Sequence, residues 1–78
     1  MPTVMRIGSW RFHFYSDEGM EPPHIHVDIG DSECKLWLAP VRVAQNRGVA
    51  AVELRRIERA AMAHEVQLLE AWHGFFNR

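Results

Sequence analysis

Glu21-Pro22-Pro23-His24-Ile25-His26-Val27-Asp28 is the most informative segment of the chain. A proline pair leads into His-x-His-x-Asp at a spacing of two. Successive side chains of a strand point to opposite faces, so His24, His26 and Asp28 share one face and Ile25, Val27 and Ile29 the other. The segment marks where a core lies and where a site lies. It does not name a reaction.

Working outward, Gly30-Asp31 follows at once, and a glycine at the first central position suits a two-residue hairpin turn. Ser32 to Leu38 then reads as a strand, with Cys34, Leu36 and Leu38 on one face and Glu33, Lys35 and Trp37 on the other. Toward the N-terminus, Ser16 to Pro23 is a polar loop carrying Asp17, Glu18 and Glu21. Before it, Trp10 to Tyr15 alternates Trp10, Phe12 and Phe14 with Arg11, His13 and Tyr15. Gly8-Ser9 is a second Gly-first turn, and Thr3 to Ile7 is the strand before it. The two turns predict a register. Ile7 faces Trp10 and Met5 faces Phe12; Ile29 faces Ser32, Val27 faces Cys34 and Ile25 faces Leu36. Apolar residues then oppose apolar residues in both hairpins, which supports an antiparallel meander in order 1-2-3-4. Tyr15 opposite His24 is the simplest choice across the longer loop. Pro40 ends the fourth strand or bends it at an edge.

From about Ala50 the period becomes helical. Leu54, Ile57, Ala61, His64, Leu68, Trp72 and Phe75 step by three and four. One long helix or two joined pieces fit this stripe, after a break at Asn46-Arg47-Gly48. The expected fold is α+β: one domain, residues 1–78, with a four-stranded antiparallel meander in 3–43 and a long C-terminal helix in 50–76 packed on one sheet face.

Composition narrows the class. A chain of 78 residues buries one modest core and gains from a partner. A hydrophobic share of 47% with 24% charged residues argues for a folded domain, not a disordered one. The net charge of -1 provides no general attraction to nucleic acid. The one cysteine, Cys34, excludes an internal disulfide and a thiolate zinc cluster, and is expected to point into the core. There is no apolar signal region and no run near the ~20 residues that span a bilayer. No membrane role and a cytoplasmic location are expected.

The register also assembles the other sheet face in rows: Val4, His13, His26 and Lys35; Tyr15, His24 and Trp37; Arg6, Arg11, Asp28 and Glu33. The last row reads as cross-strand ion pairs, with Asp28 more a partner of Arg11 than a metal ligand. Four uses of the face are open. Tyr15, Glu18 and Trp37 could meet a partner protein or a second copy. His13, His24 and His26 with Lys35 could do acid–base chemistry on a phosphodiester without a metal, His26 acting with His13 or His24. His24 and His26, with His13 or Glu18 nearby, could hold a divalent transition metal. Arg11, Lys35, Tyr15 and Trp37 could begin a stacking platform for RNA, which Asp28 and Glu33 oppose. His64 reads as a buried, hydrogen-bonded histidine, and His73 suits the negative end of the helix dipole.

Several stretches carry a family resemblance: Met1-Pro2-Thr3-Val4, Phe14-Tyr15-Ser16, Glu21 to Val27, Lys35-Leu36-Trp37-Leu38-Ala39-Pro40-Val41, Glu53 to Ile57, and Ala71-Trp72-His73-Gly74-Phe75-Phe76. With them the chain resembles the small bacterial family called domain of unknown function 4160. The resemblance covers nearly the whole chain and is strongest at Pro-Pro-His-Ile-His-Val and the downstream Lys-x-Trp-Leu-x-Pro. It implies a context and no catalytic residue: such proteins often accompany another small domain, in pairs that look like toxin–antitoxin modules. The expectation is therefore an interaction module similar to a toxin–antitoxin component, with a small protein or itself as partner and no cofactor. A metal-independent ribonuclease and a His24/His26 metal domain are the alternatives.

Overall fold

Both Gly-first turns close tight hairpins in the computed structural model of the chain, which describes residues 3–76; Met1 and Pro2 of the opening motif lie outside the described residues. Gly8 and Gly30 take φ of 57° and 58°, a left-handed conformation that residues with a Cβ seldom adopt. β1 (Thr3–Ile7) pairs antiparallel with β2 (Trp10–His13), placing Ile7 opposite Trp10 and Met5 opposite Phe12. β3 (His24–Ile29) pairs with β4 (Ser32–Leu38), placing Val27 opposite Cys34 and Ile25 opposite Leu36. Between the hairpins, His13 stands opposite His26 and Arg11 opposite Asp28. The register read from the two turns is the register observed. It slips once, between Thr3 and Met5, so that Thr3 and not Val4 faces His13.

A fifth strand corrects the four-stranded expectation. β5 (Val41–Arg47) pairs antiparallel with β4, and the sheet runs β1-β2-β3-β4-β5. The sheet half therefore extends to residue 47 and not 43. Leu38 pairs with Val41, so Ala39-Pro40, a cis peptide, is the two-residue connection. Pro40 thus lies between strands, where its missing N–H breaks no ladder bond. β5 is hard to read because it is an edge strand of which only Val41 is buried, which erases the alternation. Asn46 shapes its exit: its Nδ2 donates to the Val49 carbonyl at 2.9 Å, and its Oδ1 accepts from the Val49 N–H at 2.9 Å.

The helical half is two helices, α1 (Ala51–Ala63) and α2 (Glu65–Phe76), not one long helix. The break falls at His64. Its ring Nδ1–H donates to the Ala60 carbonyl at 2.9 Å, and the Leu68 N–H restarts the ladder on the His64 carbonyl. A side chain that takes an i−4 carbonyl competes with the helix for it. His64 is half-buried and hydrogen-bonded, a little outside the core predicted for it. Ile57 and Ala61 of α1 and Leu68 and Trp72 of α2 form one buried stripe on Phe12, Phe14, Ile25, Val27, Leu36 and Leu38. Phe75, expected on that stripe, is 44% exposed, while Phe76 packs on Trp72 with ring centroids 4.1 Å apart. The Trp10 indole N–H donates to Glu53 at 3.0 Å and ties β2 to the first turn of α1, where a carboxylate also suits the helix dipole. Neither helix is long and apolar enough to cross a membrane.

Trp72 is the pin of this arrangement. It is buried and its ring meets those of Phe14, His24 and Phe76. Trp72→Ala is expected to cost about 3–5 kcal/mol, the usual range for a large aromatic removed from a core. Urea unfolding would read this as a lower midpoint at unchanged slope, and a loss under about 1 kcal/mol would contradict the packing described.

Candidate metal centre

The face opposite the helices is not an open sheet. His13, His24 and His26 are all buried, because the loop between β2 and β3 folds over them. Two turns shape that loop, with the Glu18 N–H on the Tyr15 carbonyl and the Glu21 N–H on the Glu18 carbonyl, each at 3.2 Å. The loop also leans on α2. A Cβ at Gly19 would lie 2.6 Å from the Phe76 ring, so only glycine allows this approach without displacing Phe76. Beyond the loop, the Leu38 N–H binds the Pro23 carbonyl at 3.0 Å. Glu18 and Glu21 of the loop consequently reach residues of the sheet, while Asp17 stays exposed.

Glu18 is the meeting point. One of its oxygens, Oε1, lies 2.8 Å from His24 Nε2 and 2.7 Å from His26 Nε2. The second nitrogen of each ring also faces oxygen. His24 Nδ1 is 2.9 Å from the Pro22 carbonyl, and His26 Nδ1 is 3.1 Å from Glu33 Oε2. A carbonyl can only accept, so Nδ1 of His24 carries its proton and the Nε2 of a neutral ring then aims a lone pair at Glu18. His26 meets the same conflict at one nitrogen or the other. Four ring nitrogens face oxygen acceptors, and two neutral imidazoles have only two N–H groups between them. The cluster is short of two positive charges. Two added protons or one divalent cation would supply them.

The surrounding groups are arranged around this centre. Glu33 Oε2 also accepts from the Tyr15 hydroxyl at 3.0 Å, and Lys35 Nζ donates to Glu21 at 2.5 Å. Asp28 does both things open to it: Oδ2 receives Arg11 Nη1 at 2.6 Å and Oδ1 lies 3.0 Å from His13 Nε2. His13 stacks beside His26 with ring centroids 5.7 Å apart, yet it is sealed, and its Nδ1 has no hydrogen-bond partner among the described residues. Burial pushes the Glu18 carboxyl up, but hydrogen bonds from His24 and His26, made when the rings carry a proton at Nε2, outweigh it and hold the group below its ordinary value. Burial and the bond to Glu33 push the Tyr15 hydroxyl up. Burial, with Glu33 and Asp28 nearby, raises the Cys34 thiol to about 11.

Glu18, His24 and His26 offer three ligand atoms within 4.8 Å of one another, and so do His13, Asp28 and Glu33. Glu18 and His26 of the first set border a cavity of about 340 Å³ lined also by Tyr15, Glu21, Glu33, Cys34, Lys35 and, from β5, Gln45 and Arg47. Of the residues singled out from sequence, the fold brings His24, His26 and Glu18 onto one point, sets Tyr15 and Lys35 beside them, and places His13 behind them. Trp37 adjoins the site on its outer side: its ring meets that of His24 edge-on, with centroids 5.8 Å apart, and borders a groove with Pro22, Pro23 and Arg42. Glu33 as the second partner of His26 and Glu21 as the partner of Lys35 were not foreseen. Glu33 already stood next to the histidine row in the register; the inward turn of Glu21 depends on loop geometry that no spacing encodes.

Residues 9–73 match the family described as domain of unknown function (DUF4160). No curated protein and no solved structure matches the chain.

Two measurements check this geometry. Cys34 is buried with a raised thiol, so iodoacetamide at pH 8 should label it slowly in the native protein and fully in denaturant; fast native labelling would contradict its place in the core. A lowered carboxyl pKa adds stability above the ordinary glutamate range, and this is lost as pH falls through the lowered value. In EDTA, the wild-type protein should lose stability below about pH 4.3, and Glu18→Gln should lack that part of the loss. Identical acid profiles for the two would place the shift elsewhere.

Proposed function

The chain belongs to the DUF4160 family, and we propose that it is a domain for a divalent transition metal, with Glu18, His24 and His26 as ligands. The observation that carries this reading is the proton count: two neutral rings, with one N–H each, present four nitrogens to three oxygens, the Pro22 carbonyl, Glu33 Oε2 and the shared Glu18 Oε1. Two extra protons would create neighbouring imidazolium ions with ring centroids 5.3 Å apart in buried surroundings, where like charges repel strongly. A divalent ion brings the same two charges to one point that three donors share.

Two imidazoles and one carboxylate suit zinc, cobalt, nickel or iron. Three protein ligands leave a position for water or a ligand oxygen, as in catalytic centres, whereas structural zinc sites close with four. The Pro22 carbonyl and Glu33 would orient the rings from behind, as outer partners of metal-bound histidines do. Such an ion polarises an oxygen that enters the cavity. Metal-independent acid–base work by His26 with His13 is less well supported, since His13 is sealed and held by Asp28. A role centred on protein contact has Trp37 in its favour, while Tyr15 and Glu18 direct their polar groups into the domain.

Tag-free protein stripped with EDTA and titrated with zinc or cobalt(II) should take up one ion per chain. At a hundredfold excess over Kd the ion should stabilise the fold by about 2.7 kcal/mol. Glu18→Ala, His24→Ala and His26→Ala should each abolish uptake, Glu33→Gln should weaken it about 10–100-fold, and His73→Ala should leave it unchanged. Wild-type protein that takes up no ion in this titration would remove the reading.

A further inference from the structure

We propose that the metal-loaded face binds a single-stranded nucleic acid, with phosphates along Arg42 and Arg47 of β5 and a base on Trp37. This deepens the metal reading and rests on it. Arg42 and Arg47 are exposed and make no ion pair among the described residues. Their cross-strand partners fix the side they point to: Arg42 is opposite Trp37, Gln45 opposite Lys35 and Arg47 opposite Glu33. Residues directly opposite in a ladder share a face, so both arginines stand on the side that holds the site.

Two hollows lie side by side along β4 and β5. Arg47 borders the cavity of about 340 Å³ that contains Glu18 and His26. Arg42 borders the groove of about 370 Å³ that Trp37 lines together with Pro22, Pro23 and Pro40. Lys35 Nζ lies 4.7 Å from the centre of the Trp37 ring and joins the two hollows, since Lys35 and Trp37 are neighbours on one face of β4. From Arg42 to Arg47 the strand runs about 16 Å, which accommodates more than one phosphate of an extended chain.

Charge decides when an anion binds. Lys35, Arg42 and Arg47 equal Glu18, Glu21 and Glu33 in number, so the empty face is neutral. A divalent ion would make it positive by two charges, and a phosphate oxygen could then serve as a further ligand of that ion. The aromatic ring decides which anion. A flat indole flanked by prolines and a cation suits a base stacked on it, while the cations follow the backbone, the combination that holds single strands. An acidic peptide would use the arginines and leave the ring idle. A duplex hides its base faces from a ring recessed in a groove.

The test uses the full chain and measures metal stoichiometry first, so that failure of the metal reading appears there. Failure of the strand reading appears only in protein that carries its ion. Fluorescence anisotropy then follows labelled RNA and single-stranded DNA of about 12 nucleotides. Zinc-loaded protein should bind at least one of the two, and EDTA should weaken binding at least tenfold. The double variant Arg42→Ala/Arg47→Ala, which changes only exposed side chains, should weaken binding at least tenfold and lower the slope of log Kd against log salt by about 1.4, or about 0.7 per lost phosphate contact. Trp37→Ala should weaken binding about tenfold with little change in that slope. The proposal is overturned if loaded protein binds neither strand, if EDTA makes no difference, if the double variant binds as the wild type does, or if poly-glutamate competes as well as poly-uridylate.

Discussion

One carboxylate oxygen, Glu18 Oε1, holds both histidines of β3, and the rest of the site depends on that contact. Glu18 belongs to a loop with few backbone bonds of its own. Its carboxylate gives the loop a reason to lie over the sheet, and the lying loop is what buries the histidines. Burial in turn makes the contact strong, because attraction between charged or polar groups grows as water is excluded. The arrangement is therefore self-supporting, and it is costly when incomplete. A buried imidazole that loses its partner keeps its desolvation penalty and gains nothing in return.

The same contact joins the site to the core. His24 touches Glu18 on one side and the Trp72 ring on the other, at 4.8 Å between centroids. Gly19, next to Glu18, rests on Phe76, which packs on Trp72. The end of α2 is thus a wall of the site as well as the cover of the sheet. In a chain of 78 residues the two functions can hardly be separated, since one modest core must supply rigidity for both. A change at the end of α2 should therefore be felt at His24, and occupation of the site should be felt in the stability of the whole domain.

The sequence was legible where a physical period of two or a turn with one solution governed it. Gly8 and Gly30 fixed two hairpins, the hairpins fixed apolar pairs such as Val27 with Cys34, and those pairs set His13 beside His26 and Lys35. β5 escaped because Pro40 looked like a terminator, and because an edge strand with one buried residue has no alternation to show. Between one long helix and two joined pieces the sequence did not decide, because the break at His64, whose ring takes the Ala60 carbonyl, lacks the glycine or proline that usually marks an end. At the site, spacing was enough to gather His24 and His26. It was not enough to reveal that both would be buried, since burial came from a loop whose position rests on Gly19 and Phe76, more than fifty residues apart in the chain.

Why two histidines should be buried at all is a question of free energy. A small domain has little surplus stability, and two polar rings inside it displace apolar packing that the core could otherwise use. If their role were structural, a pair of apolar side chains of similar volume would do at least as well, since buried polar clusters are often neutral or unfavourable beside an apolar replacement. The four ring nitrogens are moreover left two charges short, a condition no structural network gains from. The proposed ion would resolve both points at once. It would complete the cluster electrostatically, and its binding free energy would add to that of folding, so that the residues which weaken the empty domain would be those that strengthen the loaded one.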